Sequence, residues 1–313
     1  MEDKRSLYEV LFSDGRILLS FVGLMLIFSG IFVFVQSYIG EFLPHDTIYL
    51  GLNATELGKI NPMIVNFMFH DRVSFGGTII STGVIYIWLS EFPIRLKKDW
   101  AWWIYALSGI VGFGSFLSYL GHGYLDAYHG MASLLLLPVF ILGLYLSYRS
   151  FPQKPVFKFS FLTKRRWKFR GIAEFGYKSL IFCALGIVLG GFVIMIVGMT
   201  FVFVPEDLDY MVMCSGDFSK INKNLTPLIA HDRASFGGGL SCVGILLLCI
   251  INNAKPSRNL WEVLLIAMSS GFLSVLAIHF MVGYTAFTHL LPAYLGTLAF
   301  YAGILCTYKV MYK

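Results

Sequence analysis

Charge is scarce in this chain. Asp, Glu, Lys and Arg make up 13% of its 313 residues, about half the share of a soluble domain. That shortage excludes an ordinary water-soluble fold, because too few solvated side chains are present to cover one. Cysteine is sparse and one-sided: Cys183, Cys214, Cys242, Cys249 and Cys306 all lie in the second half. An odd set of this kind is not a disulfide framework, and small apolar packing is its expected use. Catalytic signatures are missing too: no HExxH, no paired CxxC, no CxxCH haem attachment sequence and no Gly-x-Ser-x-Gly elbow occurs. The Gly-Gly pairs at 76–77 and 237–238 fit no GxGxxG or Walker pattern, so nucleotide binding has no support. The sequons at Asn53 and Asn224 are a weak signal.

What is present is apolar length. Hydrophobic residues make up 57% of the chain. Eight spans are expected, at about 17–39, 62–89, 100–121, 130–148, 179–204, 227–251, 262–282 and 289–308. The first, Ile17 to Ile39, is too long for a signal h-region and long enough to cross a bilayer. Loop charge sets the direction. With both termini cytoplasmic, the inner segments hold 19 of the 24 Lys and Arg, and only Lys59, Arg72, Lys220, Lys223 and Arg233 fall outside. The basic stretch from Arg149 to Lys178, with Lys164, Arg165, Arg166, Lys168 and Arg170, then reads as a cytoplasmic loop facing anionic lipid, not a nucleic-acid patch. All six Trp (88, 100, 102, 103, 167 and 261) fall near the same side, as an interfacial belt would.

The chain also repeats itself. HDRVSFGG at 70–77 returns as HDRASFGG at 231–238. At a constant offset of 161, Phe42, Pro44, Asp46 and Tyr49 meet Phe203, Pro205, Asp207 and Tyr210; Lys59-Ile60-Asn61 meets Lys220-Ile221-Asn222. At offset 160, Gly123-Tyr124 meets Gly283-Tyr284 and His129 meets His289. The expected architecture is therefore an all-α polytopic membrane protein of two fused four-helix repeats. Residues 1–150 form the first unit with an N-terminal cytoplasmic segment, 151–178 a basic cytoplasmic linker, and 179–313 the second unit. Each unit has an even number of spans, so the pseudo-twofold axis runs along the membrane normal.

Asn61-Pro62 and Thr226-Pro227 read as an N-cap followed by Pro at the first helical position. His70 then lies 19 residues, roughly 28 Å, from the inner end at Leu89. The same count places His129, His231 and His289 at one depth near the extracytoplasmic edge, with His122 and His279 at outer helix ends. Only His45 lies in a loop, and its counterpart is Glu206. The stripes His70-Ser74-Gly77-Ser81 and His231-Ser235-Gly238-Cys242 each fall on one helical face, and small residues there mark close helix contact.

Imidazole is the commonest side-chain metal ligand. Converging histidines suit a transition metal, or haem iron clamped between equivalents such as His70/His231 or His129/His289. The candidate ligands are His70, His129, His231, His289, His122 and His279, with Asp71, Arg72, Asp232, Arg233 and Asp126 behind them. The functional expectation is a membrane metal or haem protein, with a redox enzyme as its narrower form, acting on a lipid-soluble or extracytoplasmic small molecule. Two other readings stay open: a transporter or proton-coupled carrier, against which the lack of ionisable residues at mid-depth counts, and a structural subunit of a membrane complex. The outer loops, 40–61 and 205–222, share the spacing Phe-x-Pro-x-Asp-x-x-Tyr and read equally as lids or as folded caps.

Overall fold

The computed structural model describes residues 6, 8, 13–158 and 167–312. Among them the regular structure is helical, and eight helices are long and apolar enough to cross a membrane. They are α1 (Arg16–Ile39), α2 (Pro62–Leu89), α3 (Asp99–Ser115), α4 (Ala127–Ser150), α5 (Ile172–Met199), α6 (Leu225–Asn253), α7 (Arg258–Val282) and α8 (Phe287–Met311). Helical hydrogen bonding satisfies the backbone without water, which is why apolar runs of this length take this form in a bilayer.

Two boundaries differ from expectation. Helix α5 begins at Ile172, ahead of the expected span start at 179, after the turn over Gly171. Lys164, Arg165 and Arg166 lie outside the described residues. Helix α6 begins at Leu225, ahead of the expected cap Thr226. Its entry turn is made instead by Asn222, whose Oδ1 accepts from the Asn224 N–H at 2.9 Å. Asn61 does the same for Met63 at the start of α2, also at 2.9 Å. The side-chain amide satisfies an N–H that has no helical partner, whichever residue follows.

Helices α2 and α6 are the most buried and pack against each other. Helix α2 is flanked by α1 and α7, and α6 by α5 and α3. The double glycines serve these flanks. A Cβ on Gly76 would sit 2.8 Å from the Phe34 ring of α1, and one on Gly77 would sit 2.7 Å from Ser274 of α7. Gly237 meets the backbone of Met195 and Gly191 on α5, and Gly238 meets Ser115 on α3. Adjacent residues point about 100° apart around a helix, so two neighbours must both be Gly where it is squeezed from two sides. Bonds cross the same seams: Ser81 Oγ donates to the Ala267 carbonyl at 2.6 Å, and Cys242 Sγ to the Ser108 carbonyl at 3.4 Å.

The opposite end of the bundle is bolted by indoles. Trp102 donates to the Leu144 carbonyl at 3.0 Å, Trp261 to Ile304 at 3.0 Å, and the fully buried Trp167 to Ala254 at 2.9 Å. These tryptophans tie helix ends and the linker together.

The loops before α2 and α6 fold into short helices: Pro44–Leu50 and Ala54–Ile60, then Pro205–Met211 and Asp217–Ile221. They are locked to each other. Asn61 Nδ2 donates to the Met211 carbonyl at 2.9 Å, and Asn222 Nδ2 to the Leu50 carbonyl at 2.5 Å. Phe42, Leu57, Phe67, Phe203 and Phe218 are buried beneath. The loops are thus a folded cap over the ends of α2 and α6.

Candidate metal centre

The cap carries two fully buried carboxylates, Asp46 and Asp207. Each reaches an arginine of a repeated octamer. Arg72 lies 2.9 Å from Asp46 and 2.8 Å from Asp232. Arg233 lies 2.5 Å from Asp207 and 3.3 Å from Asp71, and also donates to the Val202 carbonyl at 2.8 Å. So the Asp of one octamer neutralises the Arg of the other, and the cap supplies the second carboxylate. A buried guanidinium stays charged only if paired and hydrogen-bonded, and two carboxylates per arginine meet that need.

Two tyrosines extend these networks. Tyr284 donates to Asp207 at 2.7 Å, and Tyr124 donates to Asp46. Burial, reinforced by the carboxylate beside each phenol, pushes both well above the ordinary tyrosine range. Both therefore stay protonated and act as donors.

The histidines meet in two sets. In the first, His70 Nε2 lies 2.9 Å from His279 Nε2, and the His289 ring lies 5.2 Å from that of His279 and 6.0 Å from that of His70. One ligand atom from each of these three side chains falls within 4.8 Å of the others. In the second, His129 Nδ1 lies 3.3 Å from His231 Nε2, with the His122 ring 5.7 Å from that of His231. His122 Nε2 is buried with no hydrogen-bond partner among the described residues. Each set joins a histidine of α2 or α6 to histidines from the other half of the chain. The rings thus meet in pairs other than the His70/His231 and His129/His289 clamps expected for haem.

Proton positions in the first set follow from its partners. The Val275 carbonyl can only accept, so His279 Nδ1, at 2.7 Å, carries a proton and Nε2 a lone pair. Tyr284 gives its proton to Asp207, so its oxygen accepts from His289 Nδ1 at 3.1 Å. His289 Nε2 then also carries a lone pair. His70 Nδ1 lies 3.2 Å from Asp71 Oδ1, a charge contact off the line of a good hydrogen bond. The nitrogens His70 Nε2 and His279 Nε2 face each other at 2.9 Å. Because His279 Nε2 carries a lone pair, the contact is favourable with a proton on His70 Nε2 or with a metal ion between the two.

His45 and Asp126 complete the other side. His45 Nε2 lies 3.3 Å from Asp46 and 3.1 Å from Asp126, and Asp126 caps α4 by accepting from the His129 N–H at 2.8 Å. This trio also brings its ligand atoms within 4.8 Å of one another. Burial lowers the affinity of His45 for a proton, but the close Asp126 oxygen and the charges of both carboxylates outweigh it, so its pKa is raised. Burial likewise pushes Asp126 up, while the nearby His45 and the charge of His231 hold it well below the usual carboxylate range. The linkage has a definite sign. A raised histidine pKa adds stability that is full below about pH 6.5 and is lost as pH rises through the folded value. The thermal midpoint of the native chain minus that of His45→Gln is expected to be largest near pH 5 and to shrink steadily above pH 6.5. A difference that is flat, or that grows with pH, would contradict the contact.

The six candidate ligands thus divide into His70–His279–His289 and His122–His129–His231. Asp71 and Asp232 stand beside His70 and His231, Arg72 and Arg233 hold the cap, and Asp126 joins His45. Besides His45, which read as a loop residue, four members escaped the sequence reading: Asp46, Asp207, Tyr124 and Tyr284. Their signal was present, since each belongs to the repeat, but a buried carboxylate in a loop reads locally as a turn residue. No family model, curated protein or solved structure matches this chain.

Proposed function

We propose that this chain is an integral-membrane metalloprotein that holds a transition-metal ion between His70, His279 and His289. One observation carries the reading: two imidazole Nε2 atoms face each other at 2.9 Å, and a third imidazole brings a ligand atom within 4.8 Å of them. Nδ1 of His279 is engaged by the Val275 carbonyl and Nδ1 of His289 by the Tyr284 hydroxyl, while Nδ1 of His70 lies 3.2 Å from the Asp71 carboxylate. Metal-bound histidines are oriented in this way, and such partners raise ligand basicity. Nitrogens 2.9 Å apart admit an ion at 2.0–2.1 Å from each with an angle of about 90°, and opening by about 0.4 Å reaches tetrahedral spacing. All-imidazole donation suits zinc, copper or iron, and a three-histidine set leaves a position open to a small ligand.

The matching contacts of Arg72 and Arg233, and of Asn61 and Asn222, support two fused four-helix repeats about an axis along the membrane normal. On that reading His122, His129 and His231 form the counterpart of the metal site, looser in geometry and flanked by His45. The positive-inside bias puts the histidines and the cap on the extracytoplasmic side.

Metal analysis of the purified chain after reconstitution with zinc, copper or iron tests this. One equivalent is expected in the native chain, falling to below about a tenth in His70→Ala and His279→Ala. His45→Gln, outside the trio, is expected to keep its metal. A native chain that retains no stoichiometric metal would end the proposal.

A further inference from the structure

The other end of the bundle holds a groove of ≈ 640 Å³ that the histidine chemistry does not use. Its wall is apolar and aromatic, with Trp88 and Trp103 prominent, and its rim carries Lys97, Lys98, Lys158 and Lys255 against a single carboxylate, Asp99. The lysines come from different parts of the chain. Lys97 and Lys98 occupy the tight turn between α2 and α3, Lys255 follows the end of α6, and Lys158 lies beyond α4. Four cations meet there only because three helix ends are packed together.

The groove has two further features. The Trp103 indole N–H is buried and has no acceptor among the described residues. Leaving a buried donor unpaired is costly, so such a group asks for a partner. Lys97 sits at φ 52°, in the left-handed region that side chains other than Gly rarely take. Its ammonium is spoken for by Ser150 Oγ at 2.7 Å, but Lys98, Lys158 and Lys255 are exposed. Strain of this kind is kept where the surroundings hold it for a purpose.

We infer that this groove binds the headgroup of an anionic phospholipid, with the phosphate among Lys98, Lys158 and Lys255 and an ester oxygen accepting from Trp103 Nε1. The ends of α2, α4 and α6 place the lysines where a bilayer's phosphates lie, and the apolar wall below continues into the acyl region. Basic pockets between helices on the cytoplasmic side recognise acidic headgroups by this combination. A free phosphate has the same charge chemistry but no use for the tryptophan-lined wall.

Native mass spectrometry of the full chain, released from micelles doped with phosphatidylglycerol or phosphatidylcholine, tests the inference. One phosphatidylglycerol is expected to survive delipidation, and phosphatidylcholine is not. The double variant Lys98→Glu, Lys255→Glu is expected to weaken retention about tenfold or more, and Lys98→Arg, Lys255→Arg to preserve it. Lys98→Gln, Lys255→Gln gives a milder comparison should charge reversal disturb folding. Trp103→Phe is expected to shorten retention without changing charge. Excess inorganic phosphate is expected to leave the lipid in place. Equal retention of the two lipids, retention undiminished in both the Glu and Gln doubles, or displacement by inorganic phosphate would each overturn the assignment.

Discussion

Arg233→Ala is expected to destabilise the folded chain by about 3–5 kcal/mol, the loss typical of breaking a buried ion pair. Arg233 is 5% exposed. Its fork spans both oxygens of Asp207, at 2.5 and 3.0 Å, approaches Asp71 and caps the Val202 carbonyl; its guanidinium also lies over the Phe67 ring at 4.8 Å. Removing it strands two carboxylates in an apolar setting. Asp207 would lose the fork that fixes its carboxylate, the Tyr284 hydroxyl that donates to it would lose its orientation, and the orientation of His289 would follow. Loss of metal is therefore expected to accompany loss of stability. Arg233→Lys should fall between, because an ammonium cannot span both Asp207 oxygens while reaching Val202. Arg72→Ala should cost less, since the Arg72 side chain is 12% exposed and water can reach the site it leaves. Reversible unfolding in mixed micelles, followed by tryptophan fluorescence, measures these differences. A shift below about 1 kcal/mol for Arg233→Ala would mean that the cap holds without its buried cation.

The second large effect is steric. Gly237→Leu is expected to abolish the folded state, with a penalty above about 3 kcal/mol. A Cβ at this position lands on the backbone nitrogen of Met195 and 2.7 Å from the Gly191 carbonyl oxygen. Neither can turn aside as a side-chain tip can, so α5 and α6 would have to separate along their length. Between helices in lipid, close packing is the main attraction, and separation forfeits it. Gly237→Ala should already be harmful. Gly112→Ala is the control: its Cβ would meet only Cys242 Sγ at 3.5 Å, an ordinary contact. That change should be neutral or stabilising by up to about 1 kcal/mol, as Gly to Ala in a helix usually is. Size-exclusion profiles of the detergent-solubilised variants separate the two outcomes. A monodisperse Gly237→Leu protein with native stability would refute the close approach of α5 and α6.

The histidine pairing shows where local reading stops. That His70 and His231 sit near one end of long apolar helices follows from counting residues, because helical rise is constant. That His70 meets His279 and His289 does not follow from counting. It depends on α2 lying against α7, a choice made by Gly77 and Ser81 fitting Ser274 and the Ala267 carbonyl. The small-residue stripe on α2 was legible as a contact face, but its partner was not. Asp46 shows the same limit. Its spacing from Pro44 and Tyr49 repeats in Asp207, yet only the folded cap carries the side chain over the ends of α2 and α6 to Arg72.

The amino-acid sequence by itself determined that eight apolar helices form, roughly where they end, and that histidines, aspartates and arginines gather near one end of them. Those properties depend on hydropathy and on the fixed geometry of a helix, both of which act within a short window of chain. Tertiary structure alone decided which histidine faces which, that each octamer's aspartate serves the other's arginine, and that lysines from three helix ends share one groove. These depend on contacts between residues far apart in the chain, such as the 209 positions that separate His70 from His279, where packing of backbone against backbone selects one neighbour from several that composition would allow.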